Sequence, residues 1–284
     1  MTTAELSDTF TIGGDLPVHR LGYGAMQLPG PGVWGEPADR AAAVRVVQAA
    51  VEQGVDFIDT ADSYGPEVSE QILAEALHPY RDGLVIATKA GLTRQGPGIW
   101  TPVGRPAYLK QQVELSLRRL KLERIDLIQL HRIDAEVPLA DQLGAFAELK
   151  EEGKVRHIGV SEVSVEELQA ARGITEIVSV QNLYNLTNRG SQDVLDYATA
   201  EGIAFIPWFP IATGDLASPD SPVADIAREL DATPSQVALA WLLQKSPVIL
   251  PIPGTKSVDH LTENLGAASV RLSTEDMARL DALA

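Results

Sequence analysis

A chain of 284 residues that is 45% hydrophobic and 22% charged has the make-up of a globular protein with a large core. Its formal net charge of −16 argues against nucleic acid and anionic membranes as partners, because proteins meet both with basic patches. The chain has no cysteine, which excludes disulfides and thiolate metal sites, and no apolar stretch approaches the ~18–20 residues that span a bilayer.

Taken in order, the first residues are polar and acidic, without a basic region leading into an apolar run. The expectation is a cytoplasmic protein with no secretory leader. Residues 10–18 alternate around Gly13-Gly14-Asp15 and predict a small hairpin. Residues 21–26 predict a short first strand containing Gly22 and Gly24. A Gly-x-Gly-x-x-Gly dinucleotide loop is rejected here, because Gln27 replaces its third glycine and no helix follows at once.

From this point short apolar runs alternate with helical spacing. Helix 39–53 carries Ala43, Val46, Val47 and Ala50 on one face and is stopped by Gly54. Strand 55–58, helix 68–77 and strand 84–88 follow, and then a Gly/Pro-rich loop over 91–104. Helix 106–120 opens with Pro106 in its first turn. Next come strand 125–130, helix 139–152, strand 155–160 and a helix opened by the capping box Ser164 to Glu167. Strand 177–180, helix 191–201 and strand 204–207 lead to helices 222–230 and 234–245, the second capped by Thr233 and Gln236. Strand 248–252, helix 258–267 and a last helix from Ser273 complete the pattern.

These runs make eight strand–helix units. The strands are continuous and rich in Val and Ile rather than alternating, as strands buried on both faces are. With no linker or shift in composition, they predict one α/β domain over residues 1–284. Its expected fold is a single (β/α)8 barrel, a TIM barrel, with a short N-terminal hairpin and a C-terminal helix. An open doubly wound sheet is the alternative, and it would normally carry the glycine-rich loop that is missing.

In such a barrel the chemistry sits at the C-terminal ends of the strands. Read in order, those ends carry Met26, Asp59, Lys89, His131, Ser161, Gln181, Trp208, and Gly254 with Thr255; Tyr64 lies in the turn after Asp59. Each has a plain structural reading. Asp59 can cap its loop, Lys89 can snorkel to solvent, His131 can be a hydrogen-bonded rim residue, and Tyr64 can pack a turn. Converging from adjacent strands, the four make a candidate acid–base site. A tyrosine titrates near 10, so a lysine cation beside it is expected to lower that value, with Asp59 keeping Lys89 charged. His131 can hydrogen-bond a substrate oxygen. The set holds no activated nucleophile. It offers no metal cage either, since His131 is the only histidine at a strand end. It can protonate a developing alkoxide, and a reduction then needs a hydride from a cofactor.

Six motifs sharpen this. They are Gly54-Val-Asp-Phe-Ile-Asp59-Thr-Ala-Asp-Ser-Tyr64-Gly, Ala87-Thr-Lys89, Asp126-Leu-Ile-Gln-Leu-His131, Gly153-Lys-Val-Arg-His-Ile-Gly-Val-Ser161, Gln181-Asn-Leu-Tyr-Asn185, and Ile252-Pro-Gly-Thr-Lys256 with Glu263-Asn264. In this order and spacing the chain resembles the aldo-keto reductases over nearly its full length.

The resemblance implies an NADPH-dependent reductase of a small aldehyde or ketone, with NADH as the other cofactor to test. Its catalytic tetrad falls on Asp59, Tyr64, Lys89 and His131, with Tyr64 as general acid. It implies that Ser161 and Gln181 hold the nicotinamide carboxamide and that Trp208 stacks on the ring. Gly254, Thr255, Lys256, His260, Glu263 and Asn264 would hold the 2′-phosphate and adenine end, where a helix N-terminus suits a phosphate. Gly24, Met26, Asp59, Pro210 and Ile211 would border the cofactor. Three departures stand out: Glu162 where many members have asparagine, His260 where arginine or glutamine is common, and a short loop 91–104 with a brief segment after the last strand, the loops that set substrate choice in the family. Trp34, Trp100 and Arg132 are expected pocket walls, with loop packing as the plainer reading for the two tryptophans. A monomer or weak homo-oligomer is expected. The alternative function is an NADPH-binding sensor or partner subunit with little turnover, and a metal-dependent hydrolase barrel is a third class.

Overall fold

The computed structural model describes residues 3–211 and 221–283. The hairpin forms as expected: β1 (Thr9–Ile12) pairs antiparallel with β2 (Leu16–His19), placing Ile12 opposite Leu16. The barrel then starts with β3 (Tyr23–Gly24), α1 (Arg40–Glu52), β4 (Phe57–Asp59), α2 (Val68–Leu77) and β5 (Val85–Ala90). A second small antiparallel pair, β6 (Leu92–Thr93) and β7 (Thr101–Pro102), stands where the Gly/Pro-rich loop was expected. The chain continues through α3 (Pro106–Leu120), β8 (Ile125–Leu130), α4 (Leu139–Glu151), β9 (Val155–Ser161), α5 (Val165–Arg172), β10 (Ser179–Gln181), α6 (Gln192–Glu201) and β11 (Ala204–Phe205). It ends with α7 (Pro222–Glu229), α8 (Pro234–Lys245), α9 (Val258–Gly266) and α10 (Thr274–Asp281).

The helices begin where the sequence signals them. The Asp39 carboxylate accepts the Ala42 amide at α1, and full capping boxes form at Ser164 with Glu167 and at Thr233 with Gln236. Among the described residues no helix is long and apolar enough to cross a membrane.

The seven strands β3, β4, β5, β8, β9, β10 and β11 lie side by side in that order, and every pairing is parallel. The expected eighth strand, 248–252, is present only as an irregular segment. Its single bridge joins Ile249 to Phe205, and the Phe205 amide donates to the Val248 carbonyl. On its other side the Gly22 and Gly24 amides donate to the carbonyls of Pro251 and Pro253. The segment cannot form a regular ladder because proline has no N–H to give; its carbonyls still accept, so the barrel closes. Gly24 is required by that closure, since a Cβ there would lie 2.4 Å from the Ile252 carbonyl oxygen.

Side chains sort by the two-residue period of the strands. One set, with Ile58, Ile86, Ile128, Ile158, Val180 and Phe205, packs outward beneath the helices. The other set faces the barrel axis: Phe57, Val85, Ala87, Leu127, Ala204, Leu250 and Ile252, closed at one end by Ile12, Leu16 and Val18 of the hairpin. Each fully buried Val, Leu, Ile or Phe side chain among these contributes roughly 1.5–3 kcal/mol. One inward step beyond this apolar layer stand Asp59, Lys89, Gln129 and Gln181, all buried.

Candidate active site

Strand register brings the polar layer together. Asp59 lies beside Ala87 on β5, so Lys89 is the next inward side chain on that strand; Lys89 in turn lies opposite Gln129, and Ser161 opposite Gln181. The Lys89 ammonium is fully buried and donates to Asp59 Oδ2 at 2.5 Å, to the Thr60 carbonyl at 2.8 Å and to the Tyr64 hydroxyl at 3.2 Å. Asp59 Oδ1 accepts from the side-chain amides of Gln181 at 2.8 Å and Gln129 at 3.1 Å. A buried ion is tolerated only when paired and hydrogen-bonded, and removing one partner of such a pair costs about 3–5 kcal/mol. Here both charges meet that condition.

Tyr64 reaches this cluster through a tight turn in which its amide donates to the Ala61 carbonyl. The turn continues through Gly65 at φ +116, where a Cβ would strike Val68 at 2.5 Å, so only glycine carries the chain on into α2. His131 follows β8, packing edge-on to Tyr64 with ring centroids 5.8 Å apart, and Ser63 Oγ lies 3.2 Å from its Nδ1.

The charge states are set by burial against these neighbours. Burial alone would drive the Lys89 ammonium down, but the Asp59 carboxylate and the Tyr64 phenol together hold it above its ordinary value. The expectation that Lys89 lowers the tyrosine is corrected in the balance. The cation does pull that way, yet burial, helped by the Asp59 charge, outweighs it and the phenol ends above 10.0. His131 is pushed well below 6.5 by burial and by Lys89, Arg132 and Arg94, so it is a neutral imidazole at physiological pH.

Two hollows open onto this cluster. A groove of about 330 Å³ is lined by Asp59, Tyr64, Gln181 and Trp208, by Pro210 and Ile211, by Gly24, Met26, Gly254 and Thr255, and by His260, Glu263 and Asn264 of α9. A cavity of about 570 Å³ is lined by Tyr64, His131, Arg132, Ser161 and Trp100, with Val33, Leu92 and Pro102 as apolar wall. Met26, Tyr64, Gln181 and Trp208 line both, so the two meet above the Lys89–Asp59 pair.

Most expected site residues are therefore gathered, and three are placed otherwise. Ser161 faces the cavity rather than the groove, and its hydroxyl accepts from Arg132 at 3.1 Å. Lys256 is exposed and donates to the Pro29 carbonyl at 2.8 Å, and it is not among the groove's lining residues. Trp34 is not in the cavity wall. It bridges to Gly65 and packs over Arg94, with the guanidinium 5.7 Å from its ring, as the plainer reading of loop packing holds.

The groove suits a nicotinamide cofactor on its own chemistry. Gln181 spends its amide N–H on Asp59 and keeps its carbonyl oxygen free. Asn264 is 6% exposed, and its side chain has no partner among the described residues while lining the groove. Two buried amides facing one hollow beside an indole fit a ligand that carries a carboxamide and stacking rings.

Comparison with known proteins decides the family. The model of the Aldo/keto reductase family matches residues 20–284. The chain belongs to the aldo-keto reductase family. A relative from Schizosaccharomyces pombe, an uncharacterized oxidoreductase, is 53% identical over 94% of this chain and 87% of its own. The pyridoxine 4-dehydrogenase of Escherichia coli is 46% identical over 98% of both chains. Among solved structures, an aldo-keto reductase from Klebsiella pneumoniae in complex with NADPH superposes with a TM-score of 0.84 at 28% identity, covering 97% of this chain and 94% of that one.

Within this family member several site residues escaped the sequence reading. Gln129 stands two residues before His131, so the inward period itself would have found it. Gln27, Phe209 and Ser235 line the groove with no motif to announce them. Arg94 had no signal inside its Gly/Pro-rich segment. Its guanidinium donates at 2.8 Å to the carbonyls of Gly32, Val33, Ser63 and Ile99 and lies 3.5 Å from the Trp100 ring, tying three loops over the cavity. Glu162, singled out as a departure, adopts φ +56. Its Oε1 accepts the Trp208 indole N–H at 2.6 Å and the Leu183 amide at 2.7 Å, fixing the tryptophan from behind.

Proposed function

We propose that this aldo-keto reductase reduces aldehydes or ketones to alcohols with NADPH, using Asp59, Tyr64, Lys89 and His131 as its catalytic set. The observation that carries this reading is the position of Tyr64. Its phenol contacts a fully buried lysine and lines both the groove and the cavity.

When bound in the groove, the cofactor supplies the hydride. Tyr64 gives its proton to the oxygen of the carbonyl held in the cavity. A phenol held above 10.0 keeps that proton until the oxygen becomes basic, and the Lys89 ammonium stabilises the phenolate left behind. Asp59, fixed by three donors, balances Lys89 through the cycle. Neutral His131, with Nδ1 facing the Ser63 hydroxyl, uses Nε2 to orient the carbonyl. Gln181 offers its free oxygen to the carboxamide, and Trp208 offers its face to the nicotinamide ring. Glu263 and Asn264 serve the adenine end. Lys256, whose ammonium rests on the Pro29 carbonyl, is the cation assigned to the 2′-phosphate, and the solved aldo-keto reductase in complex with NADPH supports NADPH over NADH.

The name of the E. coli relative and the aromatic cavity wall direct the substrate toward ring-bearing aldehydes. The test is cofactor oxidation, NADPH against NADH, over a panel of aldehydes, ketones, quinones and pyridoxal. NADPH-dependent turnover of aldehydes, pyridoxal among them, is expected. Tight NADPH binding with no turnover of any carbonyl would overturn the reading in favour of a sensor subunit.

A further inference from the structure

We propose that Arg132 is an anion-recognising arm of the substrate cavity, so that the preferred substrates are planar carbonyl compounds bearing one ionised oxygen near the carbonyl. This rests on the carbonyl-reductase reading above.

Three cations stand around the reacting end, and they differ in what they have left to give. Lys89 is committed to Asp59, Thr60 and Tyr64. Arg94 spends Nε, Nη1 and Nη2 alike on backbone carbonyls. Arg132 uses Nη1 alone, donating to its neighbour's carbonyl on His131 at 2.6 Å and to Ser161 Oγ at 3.1 Å. Among the described residues its Nε and Nη2 make no hydrogen bond, and it forms no ion pair. The carboxylate whose field reaches it is that of Glu162, whose Oε1 accepts from Leu183 and Trp208 and which lies outside ion-pair distance of Arg132. Arg132 therefore brings a partly desolvated, half-used guanidinium into the cavity.

A guanidinium with an open edge matches a carboxylate or phenolate, and its hydrogen bonds to charged groups are the strong ones. Its place directly after His131 puts that anion close to the carbonyl His131 orients. The other walls are Trp100, Trp208, Val33, Leu92 and Pro102, which suit a flat ring and offer no second cation. One guanidinium in an apolar cavity favours a single negative charge over a dianionic phosphate. A chain of net charge −16 disfavours anions in general, so a guanidinium with an open edge in the cavity is a local exception.

The test uses matched pairs in which charge is the main difference: 3-formylbenzoate against its methyl ester, and 2-hydroxy-5-nitrobenzaldehyde against its methyl ether. At neutral pH the charged member of at least one pair should be favoured by about tenfold or more in kcat/KM, carried by KM. The pair that responds identifies carboxylate or phenolate as the source. Arg132→Met should collapse that ratio toward one, and Arg132→Lys should keep part of it. The same preference should appear in dissociation constants for the enzyme–NADP+ complex. That measurement needs no turnover, so tighter binding of the charged member there supports Arg132 even if the reductase reading fails. The wild-type pairs test the charge preference, and its loss in Arg132→Met assigns it to Arg132. No preference in either pair, an equal loss on charged and neutral members in Arg132→Met, or a matching loss of NADPH affinity in that variant would overturn the proposal.

Discussion

At the hairpin end of the barrel the axis is filled by Phe57, Val85, Leu127 and Leu250 against Ile12, Leu16 and Val18. One inward step further along the same strands, Phe57 gives way to Asp59, Ala87 to Lys89 and Leu127 to Gln129. The backbone is the same and the burial is the same; the chemistry is reversed. The hairpin end excludes water mainly with apolar side chains, and its buried His157 is tied to the Asp15 carboxylate of the hairpin turn at 2.6 Å. The mouth is equally dry at Lys89, yet holds a charged pair and a neutral imidazole whose states are fixed by that dryness. The two-residue step separates the part of the barrel that holds the fold from the part proposed to do chemistry.

The comparison is broken most severely if the hairpin plug turns out to matter for rate. Ile12 is fully buried under the barrel and touches none of the proposed machinery. Ile12→Ala should lower unfolding free energy by about 2–5 kcal/mol in denaturant melts. Its kcat per folded molecule should match the parent. A loss of kcat with unchanged stability would join the two ends functionally and end the distinction.

A smaller effect sharpens the other side. Tyr64 is held above 10.0, so it stays a proton donor as pH rises to that value; His131 is held well below 6.5, so it stays neutral as pH falls to that value. Neither group should put a limb on the pH profile of kcat/KM for reduction between 6.5 and 10.0. The lowered histidine also has a stability consequence. Below 6.5 the unfolded chain takes a proton that the folded one refuses, so the stability from His131 is present above that pH and fades as pH falls. A reduction limb centred near 7 to 8 that disappears in His131→Gln would show a titrating histidine instead.

Much of this arrangement was legible in the sequence. Helix starts at Asp39, Ser164 and Thr233 follow from capping chemistry that is local and therefore readable. The convergence of Asp59, Lys89 and His131 followed from strand ends, because a parallel barrel puts every strand end on one face. The closing strand was readable as an apolar run, but its irregularity comes from Pro251 and Pro253, which still accept hydrogen bonds though they cannot donate. Arg94 was invisible because its value lies in carbonyls from three loops, a relation that no local pattern encodes. The direction of the Tyr64 shift is hidden from the sequence for a similar reason. The Lys89 contribution could be named from spacing, whereas burial of the phenol is a property of the assembled mouth. Lys256 was placed by motif, but its ammonium rests on Pro29, more than two hundred positions away in the chain.

The central claim is that Tyr64 delivers the proton while the rest of the mouth binds and holds charge. The most direct test is single-turnover reduction of an aldehyde by the preformed NADPH complex of Tyr64→Phe. The account predicts that NADPH still binds with near-parental affinity while the hydride-transfer rate falls by about 10²–10⁴-fold. A variant that transfers hydride at the parental rate would contradict it.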